Sequence, residues 1–396
     1  MRVLLLALAL LSASCTVNVF TCPDAGAPAD LAPPPDLVPE LVLGVEVYGQ
    51  SLGTGYGGAP ALTVRPSARH LMFKGGIDRP ADLSALVPLV ESGVETGWAA
   101  GAELLGDAVG RRVLVAGAAV PSTSLANRLP GTPAYQALID QVTAARDLVA
   151  ARGARYELAA VWEVGGESAF GGWAYGQGLQ ALQPQLEADV QVLTGQASPV
   201  LLFVSQTSSQ AGWSFADANA GMLDAAAALP SRIFVVCEKG AEPYSDAVHL
   251  TGAGYRHLGE LYGDRTAQVL LGGSWAPLAP LRVEAQQGGG ILVTFHVPVP
   301  PLGWDVGQPD PGSRGFALVD GAQSEDVVPI RSVSLVGPDA VLLDPARPLG
   351  AGARVRYAHA VPHGQLVDAD ARLSPSGGAL VSRALRFNRP VPPIAP

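Results

Sequence analysis

The stretch "LVLGVEVYGQSLGTG", Leu41 to Gly55, decides how the rest of the chain reads. Its first eight residues are apolar at nearly every position without strict alternation. That is the pattern of a strand covered on both faces. The strand runs into Gly-Gln-Ser, so Ser51 falls just past its end among small, flexible residues. A serine there is either a nucleophile or a polar group in a turn. Four more runs share the texture: "RVLVAGAAV" (Arg112 to Val120), "ELAAVWEV" (Glu157 to Val164), "VLLFVSQ" (Val200 to Gln206) and "IFVVCE" (Ile233 to Glu238). "HLMF" (His70 to Phe73) reads as another strand or a short edge piece.

Helical stripes lie between these runs. "AYQALIDQVTAARDLVAARG" (Ala134 to Gly153) places Leu138, Val142, Ala145 and Val149 on one face and ends in glycine. "GLQALQPQLEADVQVLTG" carries Pro184, which predicts a kink or a late start there. "FADANAGMLDAAAAL" and "TGAGYRHLGELYG" are two more. Strand–helix alternation predicts one three-layer α/β/α domain over residues 41–270, built on a parallel five-stranded, flavodoxin-like sheet. Such sheets place ligands at the carboxyl ends of their strands, where Ser51, Ser122 and Glu167 all fall. After about Gly272 the helical stripes stop, and short alternating runs around Gly, Pro and Asp predict an antiparallel β-sandwich over residues 275–396. No internal repeat is visible.

The N-terminus reads as an export signal. Arg2 is followed by "VLLLALALL" (Val3 to Leu11), too short to stay in a bilayer as a resident helix. Small residues then lead to Cys15, which resembles the bacterial lipobox, although Ser12 stands where leucine is usual. On that resemblance residues 1–14 are removed and Cys15 carries the lipid of an envelope lipoprotein; plain cleavage and secretion is the alternative. Residues 15–40, rich in Pro, Ala and Asp, form a semi-rigid tether. Export permits disulfides, but Cys22 in the tether and Cys237 in a buried strand are not expected to pair. No Cys/His cluster has metal-ligand spacing, and no metal or cofactor is expected. The 396 residues suffice for two domains, and a formal net charge of −10 argues against nucleic acid as a partner.

Two further segments bear on Ser51. In "YSDAVHLTGAGYRHLGELYG" (Tyr244 to Gly263), Asp246 and His249 stand three apart before a glycine-bearing helix. A serine hydrolase needs an imidazole to take the serine proton and a carboxylate to orient that imidazole. A solvated loop histidine is the plainer reading. In "AVWEVGGESAFGGW" (Ala160 to Trp173), a strand ends in Gly-Gly-Glu-Ser, which puts Glu167 at the strand mouth or at the cap of the next helix.

Together "GQSL", "GGES" and "DAVHLTGAGYRHLG" resemble the SGNH hydrolase superfamily. Within it they resemble the sialate O-acetylesterase and acetylxylan esterase branch of carbohydrate esterases. That branch shows Gly-Gln-Ser-Asn, then Gln-Gly-Glu-Ser, then Asp-x-x-His before Gly-Tyr-Arg-like residues. The resemblance implies that Ser51 is the nucleophile, His249 the general base and Asp246 its orienter. Ser51 would attack an acetyl carbonyl and pass through an acetyl-enzyme. The Ser51 N–H and one from Ser122 or Thr123, in "VPSTSLANRL" (Val120 to Leu129), would hold the oxyanion. Gln50, Gly166 and Glu167 would support the site. Two positions depart from the branch: Leu52 stands for asparagine and Gly165 for glutamine. Loss of one oxyanion donor typically costs about 100- to 1000-fold in rate.

The leading expectation is therefore a surface-anchored esterase that removes acetyl groups from sialic acid or an acetylated polysaccharide. An esterase for a lipid or simple acyl ester, and a degenerate hydrolase fold that only binds glycan, are the alternatives. Trp98, Trp162, Trp173 and Trp213 are candidates for a sugar-binding rim, with core packing favoured for Trp162. His70, His257, His296, His359 and His363 read as structural or surface groups. "VRYAHAVPHGQLVDADARL" (Val355 to Leu373) resembles the closing strands of some members of the branch, implying an accessory domain without activity of its own.

Overall fold

The central strand is β1 (Leu41–Gly49), buried from Val42 onward. Val42 and Tyr48 face one apolar cluster, Val45 and Val47 the other, which is why the sequence shows no alternation. The computed structural model describes residues 39–168, 173–208, 215–321 and 326–393, with only the backbone at 173 and 174. The signal, Cys15, Cys22, Trp213 and nearly all of the tether lie outside the described residues.

Along the chain follow β2 (Leu71–Phe73), β3 (Leu86–Pro88), α1 (Trp98–Val109), β4 (Arg112–Gly117), α2 (Pro133–Ala150), β5 (Arg155–Val164), α3 (Trp173–Thr194), β6 (Leu201–Gln206), α4 (Ala216–Ala228), β7 (Ile233–Glu238) and α5 (Gly252–Leu270). The sheet order is β3-β2-β4-β1-β5-β6-β7. All pairings are parallel except β2 with β3. The expectation of five parallel strands is corrected to seven, mostly parallel. One of the two extra strands, β2, falls on the "HLMF" run read as a further strand or short edge piece; the other, β3, has three residues, too few to print a period in the sequence.

Helices α2, α3 and α4 pack on one face, with Leu138, Val142, Ala145 and Val149 buried as the stripe predicts. Helices α1 and α5 cover the other. The expected late start at Pro184 is also corrected: α3 begins at Trp173 and runs through the proline. Helices α1 and α5 touch backbone to backbone. A Cβ on Gly259 would lie 1.8 Å from the Gly97 carbonyl oxygen, and one on Gly101 would lie 2.3 Å from that of Gly259. This contact sets the height of α5, and with it the loop just ahead that carries His249.

The remaining strands are β8 (Ala279–Ala285), β9 (Ile291–His296), β10 (Gly303–Trp304), β11 (Phe316–Asp320), β12 (Asp326–Val328), β13 (Ile330–Val336), β14 (Ala340–Pro345), β15 (Arg354–Tyr357), β16 (Leu366–Val367) and β17 (Phe387–Pro390). They form two four-stranded antiparallel sheets, β12-β11-β15-β17 and β13-β14-β9-β8, and a two-stranded ribbon. Val293 and Val341 from one sheet and Leu318, Val355 and Phe387 from the other share a single core. The described residues from Glu40 onward form one compact unit.

Replacing Gly259 by leucine forces the two helices apart. We expect a destabilisation of about 3 kcal/mol or more in urea unfolding, since overpacking against rigid backbone cannot relax by rotamer change.

Candidate active site

The carboxyl ends of the parallel strands gather the expected residues. Gly49 ends β1 at φ +133, and a Cβ there would lie 2.2 Å from the Val164 carbonyl oxygen. Only glycine lets β1 approach β5 this closely and turn. The Gln50 N–H then donates to Val164 O at 3.0 Å. A 3-10 turn follows over Ser51–Thr54, and the Trp98 indole props it from below by donating to Gly53 O at 2.7 Å.

Ser51 Oγ lies 2.9 Å from His249 Nε2, across 198 positions of sequence. His249 Nδ1 lies 2.8 Å from Asp246 Oδ2. A carboxylate only accepts, so Nδ1 carries the proton and Nε2 is left to accept from the serine hydroxyl. The second Asp246 oxygen accepts from the backbone N–H groups of Val248 and His249, each at 2.7 Å. Burial pushes the Asp246 carboxyl up, but those backbone donors and the imidazole outweigh it and hold it below the usual range.

Beneath the serine runs a buried polar chain. Gln50 Nε2 donates to Glu167 Oε2 at 3.0 Å, and Lys239 Nζ donates to Glu167 Oε1 at 2.6 Å. Lys239 and Glu167 expose 1% and 4% of their side chains, so this is an ion pair in the interior. Sequence reading missed Lys239. Its signal was a charged residue directly after a fully buried strand, on the edge where such sheets carry their sites.

Ser122 and Thr123 lie in the loop after β4. Its Val120 N–H donates to Gly49 O at 3.0 Å, so the loop runs beside the serine turn. Ser122 holds φ +58, and the Thr123 hydroxyl donates to Val120 O at 2.6 Å; neither side chain hydrogen-bonds to the triad. Gly166, at φ +114, precedes Glu167 at the β5 end.

The two departures acquire physical reasons. Leu52 is wholly buried in the cluster beneath the sheet edge, so position 52 presents no side chain to the site. At Gly165 a Cβ would lie 2.7 Å from Glu163 Oε1 and 2.8 Å from Arg128 Nη2. Arg128 and Glu163 form a fully buried pair with contacts of 2.7 and 2.8 Å, and the Tyr175 hydroxyl donates to Glu163 at 2.8 Å. That pair occupies the room a larger residue at 165 would need.

The rim expectation for Trp98 is corrected, and the core packing favoured for Trp162 is what the structure shows. Both are wholly buried and pack with Tyr262 under the sheet edge, where the apolar cost of exposing an indole is avoided. The Trp173 side chain lies outside the described residues. Beyond Asp246 a groove of about 590 Å³ runs between Glu242 and Asp246 on one side and Gln308, Pro309 and His363 of the β-rich part on the other.

No protein-family model matches the chain, and no curated protein matches it. Among solved structures it is similar to a carbohydrate acetylesterase from Xanthomonas citri, at 14% identity and TM-score 0.59, over 88% of this chain and 80% of that one. NanS (14% identity, TM-score 0.41, 60% of this chain and 99% of that one) is more distant. So is Est24, a carbohydrate acetylesterase from Sinorhizobium meliloti (15%, 0.36, 57% and 99%). The first likeness shows the fold: a mixed α/β body on a mostly parallel sheet with a β-rich part attached. The other two carry no argument.

Lys239→Met leaves Glu167 charged and buried without its partner. We expect a loss of about 3–5 kcal/mol in unfolding free energy, much of it recovered in the Lys239→Met/Glu167→Gln double variant.

The loop that carries Asp246 and His249 is tied to α5 through His257. Its Nδ1 donates to Glu242 at 2.9 Å and its Nε2 to Ala379 O at 2.9 Å. Burial alone would lower the His257 pKa, but the Glu242 charge and these hydrogen bonds together lift it from 6.5 to about 9. A folded pKa raised above the unfolded one adds stability that is complete below the unfolded value and fades as pH rises through the folded one. Unfolding free energy should therefore decline between about pH 6.5 and 9, and His257→Gln should flatten that decline.

Proposed function

We propose that the chain is a serine ester hydrolase that removes acetyl groups from carbohydrate through an acetyl-Ser51 intermediate. The observation that carries the reading is the linked geometry of Ser51, His249 and Asp246: 2.9 Å from hydroxyl to imidazole and 2.8 Å from imidazole to carboxylate. His249 Nε2 takes the hydroxyl proton as Ser51 Oγ forms a bond to the acetyl carbon. Asp246 stabilises the imidazolium that results. The carbonyl oxygen gains charge and takes hydrogen bonds from preorganised N–H groups. The Ser51 N–H serves here, with Gly166 or the Ser122–Thr123 loop as the second source. Collapse breaks the ester bond, and the alcohol leaves with the proton from Nε2. Water, activated by the same imidazole, then releases acetate.

Acetylated carbohydrate is the first substrate class to test, because the Xanthomonas citri structure that shares the fold is described as a carbohydrate acetylesterase. In the same reading Cys15 carries the lipid that holds the enzyme at the cell envelope, and the mass of the mature N-terminus tests it. The non-catalytic, glycan-binding reading draws on positions 52 and 165, neither of which offers a side-chain donor to the site.

Turnover of an aryl acetate separates the readings. Ser51→Ala should lower kcat by about 10⁴- to 10⁶-fold. Asp246→Asn, which leaves the imidazole in the wrong tautomer, should lower it by about 10⁴-fold. Equal, background-level turnover by the native protein and Ser51→Ala would leave the binding reading standing.

A further inference from the structure

Tyr56 closes the nucleophile turn, and it is the one exposed aromatic ring among the described residues, at 60%. Its ring centroid lies 4.5 Å from that of His249, at an interplanar angle of 51°. The ring is not on a loose loop. The Tyr56 N–H donates to Ser51 O at 3.2 Å, and the wholly buried Tyr255 donates its hydroxyl to Tyr56 O at 2.7 Å. Next to it, a Cβ on Gly57 would lie 2.4 Å from Ser245 Oγ and 3.3 Å from His249 Cβ. The loop bearing Tyr56 and the loop bearing the imidazole are therefore interlocked. Single exposed apolar residues are common on protein surfaces, but this ring stands on a held backbone and lies against the imidazole that faces the serine.

The chemistry of the triad says what lies there. His249 Nε2 must hand its proton to the leaving alcohol oxygen, so the alcohol part of the ester sits on the imidazole side of Ser51. That is the side Tyr56 borders. We propose that Tyr56 is the platform on which the alcohol part rests, and that this part is a saturated, hydroxylated ring, a pyranose, laid with its C–H face on the tyrosine. A tyrosine offers a large amphipathic surface at small cost in conformational entropy, and here the backbone that carries it is already held. The proposal rests on the reading of Ser51 as nucleophile. It makes Tyr56 a specificity-determining residue.

The test compares hydrolysis of a monoacetylated methyl xyloside, an O-acetylated sialic acid and ethyl acetate by the native protein, Tyr56→Ala and Tyr56→Trp. The two sugars share the pyranose ring and distinguish a neutral source from an acidic one; ethyl acetate has no ring. For the preferred sugar, Tyr56→Ala should lower the ratio of kcat/KM over that for ethyl acetate about tenfold, mainly through KM, which corresponds to about 1.4 kcal/mol. Tyr56→Trp should restore the ratio. A ratio within about twofold of the native one, or a shifted pH–rate profile on all three esters, overturns the proposal. Should the native protein hydrolyse no ester, the esterase reading fails. The platform is then read by calorimetric binding of the acetylated xyloside to Ser51→Ala with and without Tyr56→Ala. Weaker binding without the ring supports the platform, and equal binding overturns it.

Discussion

The hydrogen bond between Ser51 Oγ and His249 Nε2 joins the end of the first strand to the loop before the last helix of the α/β body. Nothing local brings those residues together. The meeting requires β1 to lie at the centre of the sheet and β7 to run parallel to it, so that both strand ends open on one edge. It also requires Gly49 to let β1 turn against Val164, and α5 to sit at the height that its glycine contacts with α1 allow. A shift of about 1 Å in either element would lengthen the bond past useful proton transfer.

That edge is stiffened by charges the interior would otherwise reject. Lys239 and Glu167 are buried against each other under Gln50, and Arg128 and Glu163 lie nearby beside Gly165. Such pairs contribute little net stability, because desolvation offsets most of the attraction, but a broken pair is costly, so the arrangement admits few alternatives. The β-rich part belongs to this arrangement. Arg386 donates to Ser208 Oγ at 2.8 Å and to Glu238 Oε2 at 3.3 Å, and Gln206 exchanges hydrogen bonds of 2.7 and 3.0 Å with the Arg386 backbone. Glu238 is the neighbour of Lys239. The C-terminal sheets thus grip the ends of β6 and β7, which hold the polar chain beneath Ser51.

Much of this was legible in the sequence. The doubly buried strands, the α2 stripe and the change of texture after Gly272 follow from short-range patterning, which is set by which faces are covered. Ser51, His249 and Asp246 stood out because the order of three short motifs resembles that of a branch of esterases, while their spacing alone left each with a plainer reading. What escaped detection depended on distant contacts. Strand β3 is too short to carry a period. Trp98 looked like a rim residue because nothing nearby reveals that Trp162 and Tyr262 close over it. Lys239 and Tyr56 take their meaning from Glu167 and His249, more than 70 and 190 positions away.

The central claim is that Ser51 is a nucleophile because His249 accepts its proton. The most direct measurement is intact and peptide mass analysis after incubation with a fluorophosphonate, which bonds covalently to an activated serine. The account predicts one adduct, located on the peptide that contains Ser51 and absent from folded His249→Ala. A folded native protein that takes up no label, or takes it up at another serine, would contradict it.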